Sequence, residues 1–393
     1  MGVVGHRALA AGFDEVRALL KWSEASDTTV IAAGVGEMDF GIAPEIRSAL
    51  HETVTRSRVG YPAPEAAREC FDAFAEWAAV HYGWRPAPET LRAAPGVLPG
   101  YWSVLRYCVP KEWPVVVSTP GYGPLEQIPR RLGRRVLHIP MEIKDGAWIR
   151  RVDALERAMD GGPALVVLCN PDNPTGSVAS AQELSHLSEV VEAAGGLVFS
   201  DEIQAPLVLN GAQHIPYAAV SAEAAAHSVV AHSATKAWGL SGLPCAHLAF
   251  GNEEVVAAWD ARDHRCSPAI SPLAMVAATT AYRGGAYWPA RITTQLERNQ
   301  QHLQAATEVL SPHAPRPRAG FYSWLDLRPW LPPDTAATAA SLLRDIGVVA
   351  SDGREFDAPG WARLNFAAAG SVVTAMAERL LEIPQLRTSK GTP

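Results

Sequence analysis

Short apolar runs alternate with amphipathic stretches through the middle third of the chain. Ala164-Leu-Val-Val-Leu-Cys169 contains no polar position, the pattern of a strand covered on both faces. A polar turn follows, and Ser180 with Glu183 three residues on has the capping-box spacing that opens a helix. Leu184, Leu187, Val190 and Val191 then share one helical stripe, which Gly195-Gly196 stops. Leu197-Val198-Phe199 is apolar again and runs straight into Ser200-Asp201-Glu202. Further strands are expected at Pro114–Ser118, Arg135–His138, Ser228–Ala231 and Ala246–Phe250. This rhythm predicts an α/β fold with a mostly parallel central sheet covered by helices.

After about residue 285 the pattern changes. A long amphipathic helix is expected over Trp288–Leu310, then a Pro-rich turn at His313–Arg318, a strand at Phe321–Leu327 and a helix at Thr335–Asp345. These make a smaller α+β unit, and the first 45 residues, which carry no sheet of their own, are expected to join it. The expected division is a large domain over 46–285 and a small domain built from 1–45 plus 286–393. No internal repeat is visible, and the last ten residues, ending Thr388-Ser-Lys-Gly-Thr-Pro393, are expected to fray.

Composition narrows the class. The 393 residues are 48% hydrophobic and 19% charged, which excludes a disordered chain and predicts a large core. With 34 Lys+Arg against 41 Asp+Glu the net charge is −7, against a nucleic-acid partner, which a cationic face would have to bind. No apolar run approaches the roughly 18–20 residues of a membrane span. The opening Met1-Gly-Val-Val-Gly-His-Arg7 has no continuous apolar signal segment, so a cytoplasmic location is expected. The five cysteines (Cys70, Cys108, Cys169, Cys245, Cys266) are odd in number, scattered and without a CxxC pair. Buried reduced thiols are the expectation, with neither a disulfide framework nor a metal site.

Four features at predicted strand ends carry chemistry. Asn170-Pro-Asp-Asn-Pro-Thr-Gly176 follows one buried strand; taken singly, a plain turn explains it. Asp201 ends the next, where open α/β sheets bind ligands, and a carboxylate there is costly unless a cation meets it; a helix cap is the competing reading. Ser233-Ala-Thr-Lys236 follows the Ser228–Ala231 strand, and an amine at that position can form a Schiff base; a snorkelling lysine is the alternative. Gly96-Val-Leu-Pro-Gly100 precedes a helical run at Tyr101–Val109, and backbone amides at a helix start suit a phosphate.

In this order and spacing, with Asp201 and Lys236 35 residues apart, the four features together resemble the fold-type I pyridoxal phosphate enzymes, the aspartate aminotransferase superfamily. The resemblance runs from about residue 25 to 385. Glu37-Met-Asp-Phe40, Gly60-Tyr61, His81-Tyr-Gly-Trp84, Tyr322-Ser-Trp-Leu-Asp326 and Arg363-Leu-Asn-Phe366 look like its MalY/PatB branch, largely cystathionine and cysteine-S-conjugate β-lyases. The resemblance implies that Lys236 binds pyridoxal 5'-phosphate covalently and later takes the substrate α-proton. Asp201 would face the pyridine nitrogen, Asn173 the phenolic oxygen and Tyr122 the ring face. The amides around Leu98 and Gly100 and the Ser233 hydroxyl would hold the phosphate. Tyr61 would reach the phosphate of a neighbouring subunit, which implies a homodimer. Arg363 would grip the substrate α-carboxylate, with Gly36 offering backbone to it.

Two positions depart from the pattern. Pro244 stands where many relatives have a phosphate-binding arginine, and Gln204 where many have an aromatic residue or histidine; glutamine can donate a hydrogen bond to the phenolic oxygen but does not titrate. The leading expectation is a C–S β-lyase that releases thiol, pyruvate and ammonia from an L-cysteine S-conjugate. Transamination and a decarboxylating or deaminating reaction in natural-product biosynthesis are the enzymatic alternatives, and a catalytically silent regulator is the alternative of another class. A plain Rossmann enzyme is disfavoured because no G-x-G-x-x-G follows the first strand.

Overall fold

Unbroken runs of Val, Leu and Phe can be buried on both sides only if a sheet has cover on both faces, and that requirement organises the chain. The computed structural model describes residues 19–23, 29–262, 270–332 and 336–389, with side chains to 385. Met1–Arg7, Cys266, Thr335 and Lys390–Pro393 lie outside the described residues. In chain order the first strands are β1 (Ile31–Ala33), β2 (Leu91–Ala94), β3 (Val115–Thr119), β4 (Val136–Lys144), β5 (Ala147–Arg150) and β6 (Leu165–Cys169). They are followed by β7 (Leu197–Asp201), β8 (Ser228–Ser233), β9 (Ala246–Phe250), β10 (Tyr322–Asp326), β11 (Val348–Asp352) and β12 (Trp361–Asn365).

Eight strands form one sheet in the order β2-β9-β8-β7-β6-β3-β4-β5. Its centre, β8-β7-β6-β3-β4, is parallel, and β9, β2 and β5 pair antiparallel at the edges. Every residue of β6, β7, β8 and β9 is buried, as a sheet covered on both faces requires. The chain is thus α/β with a mostly parallel sheet and helical cover, as its sequence pattern predicts. A second sheet, β1-β11-β12-β10, joins the N-terminal strand β1 in parallel to β11, more than three hundred residues away. Among the described residues no helix is long and apolar enough to cross a membrane.

Several boundaries differ from the sequence expectation. The strand expected at Arg135–His138 runs on to Lys144 and returns as β5 through Asp145-Gly146, both at positive φ, an Asp-Gly hairpin turn. The helix expected from Tyr101 starts at Val97 and widens into a π turn over Val104–Cys108. Ser180 caps the Ala181–Ala193 helix by accepting the Glu183 amide, but the Glu183 carboxylate turns to Arg150 instead of completing a reciprocal box. Of the ten residues expected to fray, 384–389 belong to the helix Glu382–Ser389 and the rest lie outside the described residues. Cys70, Cys169 and Cys245 are buried free thiols.

One buried cation holds the turn after β6. Arg150, at the end of β5, donates to the Cys169 carbonyl (2.6 Å) and to Glu183 (2.9 Å), with Asp172 at 3.6 Å. Asp172 in turn accepts the Thr175 hydroxyl (2.6 Å), while Asn170 accepts the Ala179 amide (3.0 Å). Removing one member of such a cluster leaves buried charge uncompensated, at a cost of about 3–5 kcal/mol. Arg150→Met is therefore expected to lose stability of that order in urea denaturation at neutral pH. A loss below about 1 kcal/mol would mean that water, not Arg150, balances Asp172 and Glu183.

Candidate active site

The carboxyl ends of β6, β7 and β8 lie side by side, with Cys169 opposite Asp201 and Asp201 opposite Ala231. The segments leaving them, together with Gly36 after β1 and Tyr322 and Arg363 from β10 and β12, enclose a cavity of about 370 Å³. Lys236, Asp201, Asn173, Gln204, Tyr122, Leu98, Gly36 and Arg363 all line it, so the structure brings together eight of the positions picked out in the sequence.

Lys236 is half-buried and its Nζ donates to the Gly36 carbonyl at 2.6 Å. Burial, reinforced by the nearby Arg363 charge, pulls its amine down from the usual lysine range to about 8. Asp201 is buried; the Ile203 amide donates to it at 3.1 Å, and among the described residues it makes no ion pair. Burial pushes its carboxyl up to about 6, and the neighbouring Glu202 charge adds to the effect. Arg363 is fixed by donating to Asn173 Oδ1 (2.9 Å), the Gly34 carbonyl (2.9 Å) and Ser351 Oγ (3.2 Å), with its guanidinium 4.2 Å above the Tyr322 ring. Its Nε remains buried without a partner, as does Gln204 Oε1. With the Asn173 oxygen committed to Arg363, what Asn173 has left for a ligand is a donor. Gly36 must be glycine: a Cβ there would stand 2.5 Å from the Tyr322 hydroxyl and 3.2 Å from Lys236 Nζ.

Two expected phosphate ligands are not in the cavity wall. Gly100 lies inside the helix that starts at Val97, with its amide given to the Gly96 carbonyl (3.0 Å). A Cβ there would press on Leu248 at 3.1 Å, so this glycine serves close helix–strand packing. The amides left over at that helix start are those of Val97 and Leu98. Ser233 is the last residue of β8 and its hydroxyl points to the Cys245 carbonyl (2.7 Å) and Thr235 Oγ1 (3.0 Å). Thr235 and Ser241 line the cavity in its place, and Pro244 presents only its ring. Tyr61 is 97% exposed and outside the cavity.

Sequence reasoning also missed Tyr322 and Glu202. Tyr322 is buried between Gly36, Lys236 and Arg363, and burial raises its phenol above the usual range. It stands in a motif quoted for resemblance alone, and Thr235 stands beside the serine that was chosen. Glu202 adjoins Asp201, yet the groups it meets, Ser200, His214, Tyr217 and His232, are spread over neighbouring and distant segments.

A buried carboxylate without a cation, an amine held near neutrality, an unpartnered amide oxygen and a bed of amides and hydroxyls fit pyridoxal 5'-phosphate, which supplies a cationic ring, an aldehyde and a phosphate. Residues 28–382 match the family model Aminotransferase class I and II, and the chain belongs to that family of pyridoxal-phosphate-dependent enzymes. It is 30% identical over 353 residues to a cystathionine beta-lyase of Corynebacterium glutamicum, covering 89% of this chain and 92% of that one. It is 30% identical over 315 residues to the cystathionine beta-lyase PatB of Bacillus subtilis, covering 78% and 81%. The structure of a putative PLP-dependent beta-cystathionase from Corynebacterium diphtheriae superposes with a TM-score of 0.86 at 28% identity, over 96% of this chain and 99% of that one. The chain is accordingly an enzyme, and the resemblance to the MalY/PatB branch is met by its relatives.

Only the neutral amine of Lys236 can attack an aldehyde, so cofactor loading onto the apoprotein should quicken as pH rises through about 8 and level off above it. Borohydride trapping against pH measures this. Arg363→Gln removes a charge that depresses the amine and should move the midpoint upward; an unmoved midpoint would mean that Arg363 does not act on Lys236.

Proposed function

We propose that the protein is a C–S β-lyase that cleaves an L-cysteine S-conjugate, R–S–CH2–CH(NH3+)–COO−, with one water into the thiol R–SH, pyruvate and ammonium. The observation that supports this best is that Lys236, Asp201 and Arg363, one anion and one further cation around the amine, line one cavity, in a chain similar to relatives named cystathionine beta-lyase. Pyridoxal 5'-phosphate, when bound, supplies an electron sink for the charge left at the α-carbon. Arg363 orients the substrate through its α-carboxylate, with Asn173, Gly34 and Ser351 fixing the guanidinium beforehand. Lys236 Nζ takes the α-proton; an amine brought to about 8 is basic enough for the task and still partly unprotonated near neutrality. Asp201 would balance the cofactor's ring nitrogen, Asn173 and Gln204 would meet its phenolic oxygen and Tyr122 its face, and the Val97 and Leu98 amides with the Thr235 and Ser241 hydroxyls would hold its phosphate.

We further read the chain as a cytoplasmic homodimer in which Tyr61, projecting freely from this protomer, enters the site of its partner. The two sheets support a division at about residues 46 and 285 into a large and a small domain.

The test is product analysis. Purified holoenzyme given S-alkyl cysteines, with no keto acid added, should release pyruvate and thiol in equal amounts. Lys236→Ala should lower kcat at least a thousandfold, and Arg363→Lys should raise KM more than it lowers kcat. A strict requirement for an added keto acid, with no pyruvate and no free thiol, would make the enzyme an aminotransferase and overturn the lyase reading.

A further inference from the structure

Successive residues of a strand face opposite ways, and at the end of β7 this puts two carboxylates back to back. Asp201 lines the cavity, while Glu202 is buried on the other side, beneath the site. Glu202 is saturated. Its Oε1 accepts the Ser200 hydroxyl (2.8 Å) and the Tyr217 amide (2.8 Å). Its Oε2 meets His214 Nε2 at 2.8 Å and His232 Nε2 at 2.9 Å. Both rings are sealed from water by aromatic neighbours: His232 by Phe74 (5.1 Å between centroids), Tyr82 (5.9 Å) and Trp84 (6.0 Å), and His214 by Tyr82 (5.2 Å).

We propose that Glu202, clamped between His214 and His232, is a positioning residue that decides from behind whether Asp201 stays an anion facing the cofactor. This rests on the lyase reading only in that Asp201 meets the cofactor's ring nitrogen. The clamp couples the parts that carry the site: Ser200 lies in the strand of Asp201 and Glu202 directly after it, His232 stands four residues before Lys236 on the neighbouring strand, and His214 and Tyr217 come from the segment after β7.

The logic is one of compensated charge. A bare Glu202 carboxylate beside Asp201 favours a proton on Asp201, and in this structure it contributes to holding that carboxyl near 6. Contacts from His214 and His232 to Oε2 draw the Glu202 charge toward the two rings and away from Asp201, while burial lowers the His232 imidazole. Although burial works the other way, the two histidines bring the Glu202 carboxyl down to about 2, so the clamp itself stays charged. The titratable and charged groups on Asp201 are Glu202, Lys236, Cys169 and Tyr122; burial keeps the last two protonated. Those on Glu202 are His214, His232 and Tyr82, whose phenol burial also keeps neutral, and His247 acts on His232 from β9.

The experiment compares the wild type with Glu202→Gln, His214→Asn and His232→Asn. In each, the affinity for pyridoxal phosphate is measured by equilibrium dialysis from pH 5 to 9. Affinity should fall as pH drops through the point where Asp201 protonates. Glu202→Gln should move that point down, and the histidine variants should move it up, each by roughly half a unit or more. A merely structural clamp weakens binding in all three without moving the midpoint, or moves it one way in all; either result overturns the proposal.

A second readout needs no cofactor and survives failure of the lyase reading. Because the folded Asp201 keeps its proton to higher pH than the unfolded chain, its contribution to apoprotein stability declines as pH rises from about 4 to about 6. Urea titrations of each variant with and without Asp201→Asn isolate that window. The window should shift down with Glu202→Gln and up with His232→Asn, and identical windows would overturn the clamp's role even if His214→Asn fails to fold. One equivalent of divalent metal held by Glu202, His214 and His232 in the purified holoenzyme would also overturn it, since the imidazole lone pairs would then belong to the metal.

Discussion

The structure depends on the parallel register of three strands. Because β6, β7 and β8 end at the same level, a donor-rich turn, a carboxylate and a lysine-bearing segment emerge next to one another, about 4.8 Å apart from strand to strand. Strands this apolar can be aligned only inside two layers of helices, and that same cover withdraws water from their ends. The perturbed amine of Lys236 and the perturbed carboxyl of Asp201 therefore follow from the way the core is built, not from any special group added at the surface. Arg150 belongs to the same design: it anchors the turn that presents Asn173, whose oxygen in turn fixes Arg363 from the other sheet.

Lys236 and Arg363 stand on the side of the cavity where the proposed function puts the substrate, and no cation lines the helix start at Val97 and Leu98 where the phosphate would lie. Lys236 and Arg363 are its two cations, and Pro244 closes the wall where an arginine would add a third. A phosphate held there would be met by the Val97 and Leu98 amides and by hydroxyls, partners that hydrogen-bond without carrying charge. Charge therefore stays concentrated around Lys236, where Arg363 helps lower the amine while Asp201 and Glu37 work against it.

How far the sequence could be read depended on the range of the interaction that settles each residue. Lys236, Asp201 and Asn173 were legible because strand ends in an open α/β sheet are places of fixed meaning, and an apolar run announces its own end. The long helix over Trp288–Leu310 was legible for the same reason, since its stripe is periodic. Gly100 and Ser233 stand outside the cavity lining through contacts across the sheet that no local pattern announces: Leu248 packs on one, and the Cys245 carbonyl takes the hydroxyl of the other. The Glu202 clamp was illegible because its histidines are separated from it by loop and strand, and nothing local marks His214 or His232 as partners of a carboxylate. The β4–β5 hairpin is a different case; its Asp145-Gly146 turn was written in the sequence and overlooked.

The protonation states around Lys236 bear on what the site can expel. Burial holds Tyr322 protonated and carries Tyr122 up to about 12, Gln204 does not titrate, and none of the side chains lining the cavity is a histidine. Under the proposed function Lys236, whose amine lies at about 8, would be occupied with the α-proton when the β-substituent departs. A group that must leave without being protonated has to be stable as an anion. A thiolate, whose parent thiol loses its proton near pH 8.5, meets that condition, while an alkoxide or an amide ion does not. Glu37 and Asp201 are the carboxyl groups of this cavity, and burial keeps Cys169 and both phenols protonated, so under the proposed function a group stable as an anion, sulfur at the β-carbon, is the one this lining suits.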